Sequence, residues 1–191
     1  LSIASSTGPG QSSITLDGNS YHENNGWGLE LAGGSSTLLT VTIRGEGLVE
    51  LNGLGGIKVS NTGLVNITQH HFELNTGNDV LVDNSLGVHV SGNNFYTAVD
   101  PFRCVRFQNF SRGGSVTNNA FTAPTIEIYK DSAPVYFDNT TYKNVYHSNY
   151  YTGAAQGSGA GITATFSVYD AGDNICLDKD TVVQRSNDSI I

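Results

Sequence analysis

Acidic residues near the middle of the chain have the chemistry needed to cleave a glycosidic bond. Glycoside hydrolases use two carboxyl groups about 5–9.5 Å apart, one as general acid and the other as base or nucleophile. The sequence offers Glu73, Asp79 and Asp100 as catalytic candidates. Asp83 directly precedes the predicted turn residue Asn84, and we assign it to the turn. Catalysis by the other three is a hypothesis, because the sequence does not give the distance between their carboxyl groups.

Aromatic and basic residues in two insertions are candidates for contacts with a sugar. Trp27 lies in the insertion at 22–28, and Tyr96 and Arg103 lie in the insertion at 96–103. A flat aromatic ring can stack on the face of a sugar, but it can also pack against protein. The two interpretations are even for Trp27, whereas packing is favoured for Tyr96. Because loops on a rigid scaffold often bind ligands, we predict all three as carbohydrate-binding residues.

No short motif indicates a cofactor or a metal ion. The sequence has no P-loop, dinucleotide fingerprint, zinc-ligand spacing or nucleophile elbow. His70 and His71 precede Phe72 at a predicted turn, and we favour a turn pair over metal ligands. Cys104 and Cys176 are too few for a disulfide framework, and buried thiols are favoured over a bridge between them. We therefore predict no cofactor and no metal.

These residues are positioned by a repeat whose aromatic members follow one another at spacings of 23, 26 and 21 residues. Self-similarity at a fixed period is typical of a solenoid, in which stacking buries apolar faces that one repeat cannot bury alone. Each repeat contains short alternating segments, which predicts one coil of a parallel β-helix. The recurring series are Phe72, Phe95, Phe121 and Tyr142; Ile57/Val59, Val80/Val82, Val105/Phe107 and Ile126/Ile128; and Ile67, Val90, Val116 and Phe137.

The repeat extends toward the start of the chain. When the spacing of the aligned coils is applied to earlier residues, it predicts Leu29/Leu31 as the first strand pair of an earlier coil. It also predicts Leu48 as the counterpart of Phe72. The predicted fold class is all-β, a parallel β-helix of about five to six coils between residues 11 and 144. The 23 glycines agree with it, because glycine accepts the left-handed backbone of tight turns.

Alternation along each strand separates core side chains from exposed ones. In the first sheet it predicts an outward column with two pairs of opposite charge, Glu30 beside Lys58 and Arg106 beside Glu127. A separate column of asparagines follows the strand pairs, and we predict a structural role for it. Asparagine tolerates left-handed turns, and stacked amides can hydrogen-bond along a column. That column consists of Asn61, Asn84 and Asn109.

The composition changes after Asn144. Residues 145–161 are rich in Tyr, Gly, Ala and Ser, and two alternating runs follow at 162–169 and 180–184. We predict two domains: a parallel β-helix at 1–144, and a C-terminal β cap or trimerisation element at 145–191. The exposed ends of a stacked helix need such capping, because an unpaired edge strand invites aggregation.

The segment Gly56–Asn61, repeated at Asp79–Asn84, resembles the pectin-lyase-like family of right-handed parallel β-helices. Within that family the pattern is most similar to the C-terminal part of a bacteriophage tailspike or appendage protein. The resemblance implies a right-handed helix, a homotrimer, and binding of bacterial surface polysaccharide, often with cleavage. It also implies an extracellular or virion-surface location. No catalytic motif transfers residue by residue.

The charge of the chain limits the choice of partner. Its net charge is −8 with 9 basic residues, which disfavours nucleic acid and anionic membranes, since both bind basic patches. Three functions stay open: trimeric attachment to a surface glycan, polysaccharide cleavage, and a purely structural β-helix. A lyase needs basic residues to neutralise a uronate, so the cleavage hypothesis favours a hydrolase. The absence of methionine predicts a processed chain or a piece of a longer one.

Overall fold

The chain folds into strands that stack in three sheets. A computed structural model gives the structure, which describes residues 1–4, 12–34, 39–96, 104–122, 135–137, 144–152, 162–164, 168–172 and 175–176. Each coil contributes one strand to each sheet, and each sheet has seven strands. Neighbouring strands within these ranges pair in parallel. The predicted all-β parallel β-helix is therefore confirmed.

The three sheets take their strands in strict rotation along the chain. The first sheet contains β1 (Ser2–Ala4), β4 (Trp27–Ala32), β7 (Gly55–Ser60), β10 (Asn78–Asp83), β13 (Val105–Gln108), β16 (Val135–Phe137) and β19 (Ile162–Ala164). The second contains β2 (Ser12–Asp17), β5 (Leu39–Arg44), β8 (Gly63–Thr68), β11 (Leu86–Ser91), β14 (Ser115–Thr117), β17 (Asn144–His147) and β20 (Val168–Gly172). The third contains β3 (Tyr21–His22), β6 (Leu48–Glu50), β9 (His71–Glu73), β12 (Asn94–Phe95), β15 (Ala120–Thr122), β18 (Tyr150–Thr152) and β21 (Ile175–Cys176).

The core is a column of inward side chains at the predicted positions. In the first sheet Leu29 lies in register with Ile57, and Ile57 with Val80. In the third sheet the Phe95 ring stacks between Phe72 and Phe121, with centroid distances of 4.7 and 5.0 Å. Rings of successive coils stack because parallel strands lie about 4.8 Å apart. The predicted ion pair is also present on the outer face: Lys58 Nζ lies 2.8 Å from Glu30 Oε1.

The register predicted for Leu48 is wrong by one residue. Val49 pairs with Phe72 and is buried, whereas Leu48 pairs with His71 and is 41% exposed. Both residues are apolar and adjacent. An alignment that assumes a fixed coil length therefore selects Leu48 instead of Val49 as the counterpart of Phe72. A shift of one residue exchanges the inner and outer faces of a strand.

The register predicted for the sixth coil is also wrong. Val135 and Phe137 pair with Val105 and Phe107 in the first sheet, at a coil length of 30 residues. Phe137 is thus not a member of the second sheet. The longer coil places Tyr136 beside Arg106 and Tyr151 beside Phe121, where we expected Glu127 and Tyr142. The residues assigned to those places lie outside the described residues: Ile126, Glu127, Ile128 and Tyr142.

Strand pairing continues past Asn144. Within the described residues, β17 and β20 extend the second sheet, and β18 and β21 extend the third. We expected the β-helix to end at residue 144, but its second and third sheets continue beyond that residue. A cap or trimerisation role for residues 145–191 stays a prediction.

Buried asparagines form hydrogen-bonded ladders at two corners of the coils. At the corner before the first sheet, Asn52 Nδ2 donates to Asn75 Oδ1 at 2.9 Å. At the corner between the second and third sheets, Asn93 Nδ2 donates to Asn119 Oδ1 at 3.1 Å. These amides satisfy backbone groups that the turns would otherwise leave unpaired in the interior. The exposed column predicted as turns is confirmed, because Asn61, Asn84 and Asn109 have φ of 51°, 45° and 52°.

Candidate functional site

A groove of about 470 Å³ crosses the corner between the second and third sheets. Turn residues of the corner form one side, and outward residues of the third sheet form the other. Seven of its nine described lining residues have polar side chains. The lining residues are Glu46, Gln69, His70, His71, Gly92, Asn93, Asn94, Asn118 and Ala120.

A glycine opens this groove. Gln69, Gly92 and Asn118 occupy the same turn position in successive coils, each directly after a strand of the second sheet. All three have left-handed backbones, with φ of 62°, 67° and 56°. A Cβ atom at Gly92 would meet nothing within 4 Å. The missing side chain therefore leaves a notch between Gln69 and Asn118.

A buried histidine lies at the end of the asparagine ladder in the groove. The backbone amide of His70 donates to Asn93 Oδ1 at 3.0 Å, and its Nδ1 lies 3.3 Å from the Gly47 carbonyl oxygen. His70 is 2% exposed, and its Nε2 has no hydrogen-bond partner. Burial lowers the pKa of His70, and the hydrogen bond to Gly47 opposes that shift. The imidazole is therefore neutral at pH 7.

An aromatic and ionisable cluster borders the groove on the outer face of the third sheet. His71 Nε2 lies 3.2 Å from Glu73 Oε2, and the ring centroids of His71 and Tyr96 are 6.2 Å apart. Tyr96 follows Phe95 and Glu73 follows Phe72, and these phenylalanines are in register. Two of the predicted site residues, Glu73 and Tyr96, therefore lie in neighbouring coils on the same face. Their roles in catalysis and sugar binding stay predictions.

A second carboxylate beside Glu73 was missed from the sequence. Glu50 pairs with Glu73 in the adjacent strand, on the same outward face. Parallel neighbours lie about 4.8 Å apart at the backbone, so Glu50 and Glu73 are adjacent acids on one outer face. The interval of 23 residues from Glu50 to Glu73 equals that from Phe72 to Phe95, and this equality is the signal that could have found it.

Asp79 is not a surface acid. It is 0% exposed, and Asn75 Nδ2 donates to its Oδ1 at 2.8 Å. The Asp79 Oδ2 atom has no hydrogen-bond partner. Burial raises the pKa of Asp79 well above its ordinary value, although hydrogen bonds from Asn75 and Cys104 oppose the shift. Asp79 is thus buried in the first sheet, whereas Glu73 lies on the outer face of the third sheet.

The remaining predicted site residues do not join the groove. Trp27 is half-buried, and its ring lies over Gly55, where an added Cβ would approach Trp27 Cζ3 to 2.3 Å. This contact supports the packing interpretation of Trp27. Asp100 and Arg103 lie outside the described residues. Within the described part of the chain, no cluster of three His, Cys, Asp or Glu side chains is arranged to hold a metal ion.

Replacing Asp79 with asparagine is expected to stabilise the protein at high pH. Because the folded-state pKa is raised, the stability that the carboxyl provides is present below its unfolded pKa and is lost as pH rises toward the folded value. The advantage of Asp79→Asn should therefore grow above about pH 4, by at most about 1.4 kcal/mol per pH unit. Urea unfolding between pH 3 and pH 9 measures it.

The control for this prediction is Asp17→Asn. Asp17 is exposed and pairs with Arg44 at 3.0 Å, so its loss should change the free energy of unfolding by about 0–1 kcal/mol. A constant difference between Asp79→Asn and the parent protein at every pH would contradict the buried carboxyl as the cause.

Comparison with known proteins agrees with the architecture. The chain matches the family model described as a right-handed β-helix region over residues 7–176. No curated protein and no solved structure matches it. Among the described residues, no helix has the length and apolar character needed to cross a membrane. The chain belongs to the right-handed β-helix family.

Proposed function

We propose that this β-helix binds a polysaccharide in the groove between its second and third sheets. The observation that carries the proposal is the placement of Tyr96 beside the His71–Glu73 pair at the border of the groove. Sugar recognition commonly combines an aromatic surface with polar groups that accept and donate hydrogen bonds. The groove volume of about 470 Å³ lies within the range of about 300–1,000 Å³ typical of small-ligand sites.

The wider role that we propose is attachment to bacterial surface polysaccharide, as a tailspike-like homotrimer outside the cell or on a virion. The regular helix supports it, because a stiff column can present a repeated row of side chains to a long polymer. Exposed leucines at the corner before the first sheet, such as Leu54 at 57% exposure, offer apolar area that a trimer can bury. A solution mass equal to one chain would contradict the trimer.

Gly92→Asn is expected to block glycan binding without unfolding the protein. Asparagine tolerates the left-handed backbone of Gly92, as Asn118 does in the next coil, but its side chain fills the notch. We expect affinity for capsule or O-antigen polysaccharide that the parent protein binds to fall at least about tenfold, equivalent to about 1.4 kcal/mol. Calorimetry or retention on immobilised polysaccharide measures this loss.

Gly18→Asn is the matched control. Gly18 has the same turn position and a φ of 65°, and an added Cβ there also meets nothing within 4 Å. It does not line the groove. Equal affinities of the two variants would place binding elsewhere, and failure of the parent protein to bind any surface polysaccharide would overturn the proposal.

A second candidate function is polysaccharide hydrolysis by Glu50 and Glu73. The register of these two residues favours it, because retaining glycosidases hold their carboxyl groups about 5–5.5 Å apart. The same binding samples should then be followed for chain length over time. Shortening by the parent protein that is lost in Glu73→Gln would support hydrolysis, whereas binding without shortening would exclude it for that polymer.

A further inference from the structure

We infer that the groove selects glycans without anionic groups and favours those that carry a protonated amine. This inference rests on the proposed polysaccharide binding and concerns the charge of the ligand. It rests on the ionisable residues around the groove and on the partners of Arg44 and Lys58.

The groove and its border carry carboxylates. Glu46 lines the groove, while Glu73 and its neighbour Glu50 lie on the adjoining outer face. An anionic ligand would thus approach several like charges, which disfavours binding, whereas an ammonium group would be attracted. Exposed charges act over about 8–10 Å at ordinary ionic strength, so all three carboxylates contribute.

Lysine and arginine do not supply a positive charge within the described lining of the groove. Arg44, two residues from Glu46, is held by Asp17 through a pair of hydrogen bonds of 3.0 and 3.2 Å. Lys58 pairs with Glu30 on the outer face of the first sheet. A ligand in the groove therefore meets carboxylates with no lysine or arginine among the described lining residues, and the basic group beside Glu73 is His71.

The neutral groups of the groove are suited to sugar hydroxyls and amines. His70 lines the groove, and its Nε2 atom is buried there without a hydrogen-bond partner. Asn94 and Asn118 are exposed there and can both donate and accept. Hydroxyl groups can use either function, whereas an ammonium group donates to the carboxylates, so uncharged and amine-bearing sugars both find partners.

The test uses one polymer in two charge states. An acidic bacterial polysaccharide is compared with the same material after reduction of its carboxyl groups to alcohols, which keeps the linkages and removes the charge. All measurements are made in EDTA, so that no divalent ion bridges two carboxylates. Chitosan and chitin oligosaccharides of equal length provide a second pair, with and without free amines.

We expect the carboxyl-reduced polymer to bind at least about tenfold more tightly than its acidic parent. Chitosan oligosaccharides should bind more tightly than chitin oligosaccharides, and added salt should weaken only the chitosan complex. The combined Glu50→Gln and Glu73→Gln variant should reduce both differences, because it removes the charge and keeps the shape of the side chains.

The outcomes separate this inference from the proposed function. Tighter binding of the acidic polymer, with loss in Gly92→Asn, would overturn the inference and leave the groove as a glycan site. Equal binding of both members of each pair would also overturn it. An absence of binding to every polymer would instead overturn the proposed function, and the inference with it.

Discussion

Replacing Phe95 with alanine is expected to lower the free energy of unfolding by about 3–5 kcal/mol. Phe95 is 0% exposed, and its ring stacks on Phe72 at 4.7 Å and on Phe121 at 5.0 Å. Alanine would leave a cavity between two rings that are fixed by the coils above and below. Since the backbone spacing of the sheet prevents collapse, most of the loss in packing should remain. Urea unfolding followed by circular dichroism measures the change.

Phe110→Ala is the matched control for Phe95→Ala. Phe110 is 59% exposed at the corner between the first and second sheets, so the same substitution should cost less than about 1 kcal/mol. Equal losses at the two positions would contradict a central role of the stacked rings. The single tryptophan, Trp27, gives a second readout from a coil nearer the start of the chain.

The apolar register of the middle coils could be predicted because each coil repeats two constraints. Inward residues recur every second position in a strand, and strands recur after almost the same number of residues. Ile57, Val80 and Val105 satisfy both, and all three are buried in register. The residues that alternate with them could then be predicted to face outward. The ion pair of Lys58 with Glu30 was predicted in this way.

The register failed where a coil changes length. Ile126/Ile128 and Val135/Phe137 are apolar pairs of the same kind, and only the pairing with Val105 and Phe107 distinguishes them. The coil of 30 residues therefore contains two apolar pairs where the preceding coils contain one. Sequence periodicity does not locate such an insertion. The register predicted for all later residues is then wrong as well.

The site could be predicted only in part. Glu73 and Tyr96 were selected for separate reasons, although their separation of 23 residues is one coil length and the structure places them together. The notch was not predicted, because it depends on the open space around Gly92, where an added Cβ atom would meet nothing within 4 Å. Asp79 was chosen as an acid, but it lies in β10 against the buried amide of Asn75 and is 0% exposed.

The buried asparagine ladder was not distinguished from ordinary turn residues. Asn93 and Asn119 are separated by 26 residues, as are Phe95 and Phe121. Asn119 Oδ1 accepts from the backbone amide of Asn93 at 3.0 Å and from its side chain at 3.1 Å, while Asn119 Nδ2 donates to the Val90 carbonyl at 2.9 Å. One amide therefore joins the ladder to the backbone of the preceding coil.

Asn119→Ala is expected to destabilise the protein by about 2–5 kcal/mol, because each buried polar group left unpaired costs about 1–3 kcal/mol. The backbone amide of Asn93 should also exchange its hydrogen faster, since it loses its acceptor. The control is Asn94→Ala, at an exposed position next to Asn93, with an expected change within about 0.5 kcal/mol. If both variants unfold at the same urea concentration, the ladder does not stabilise the corner.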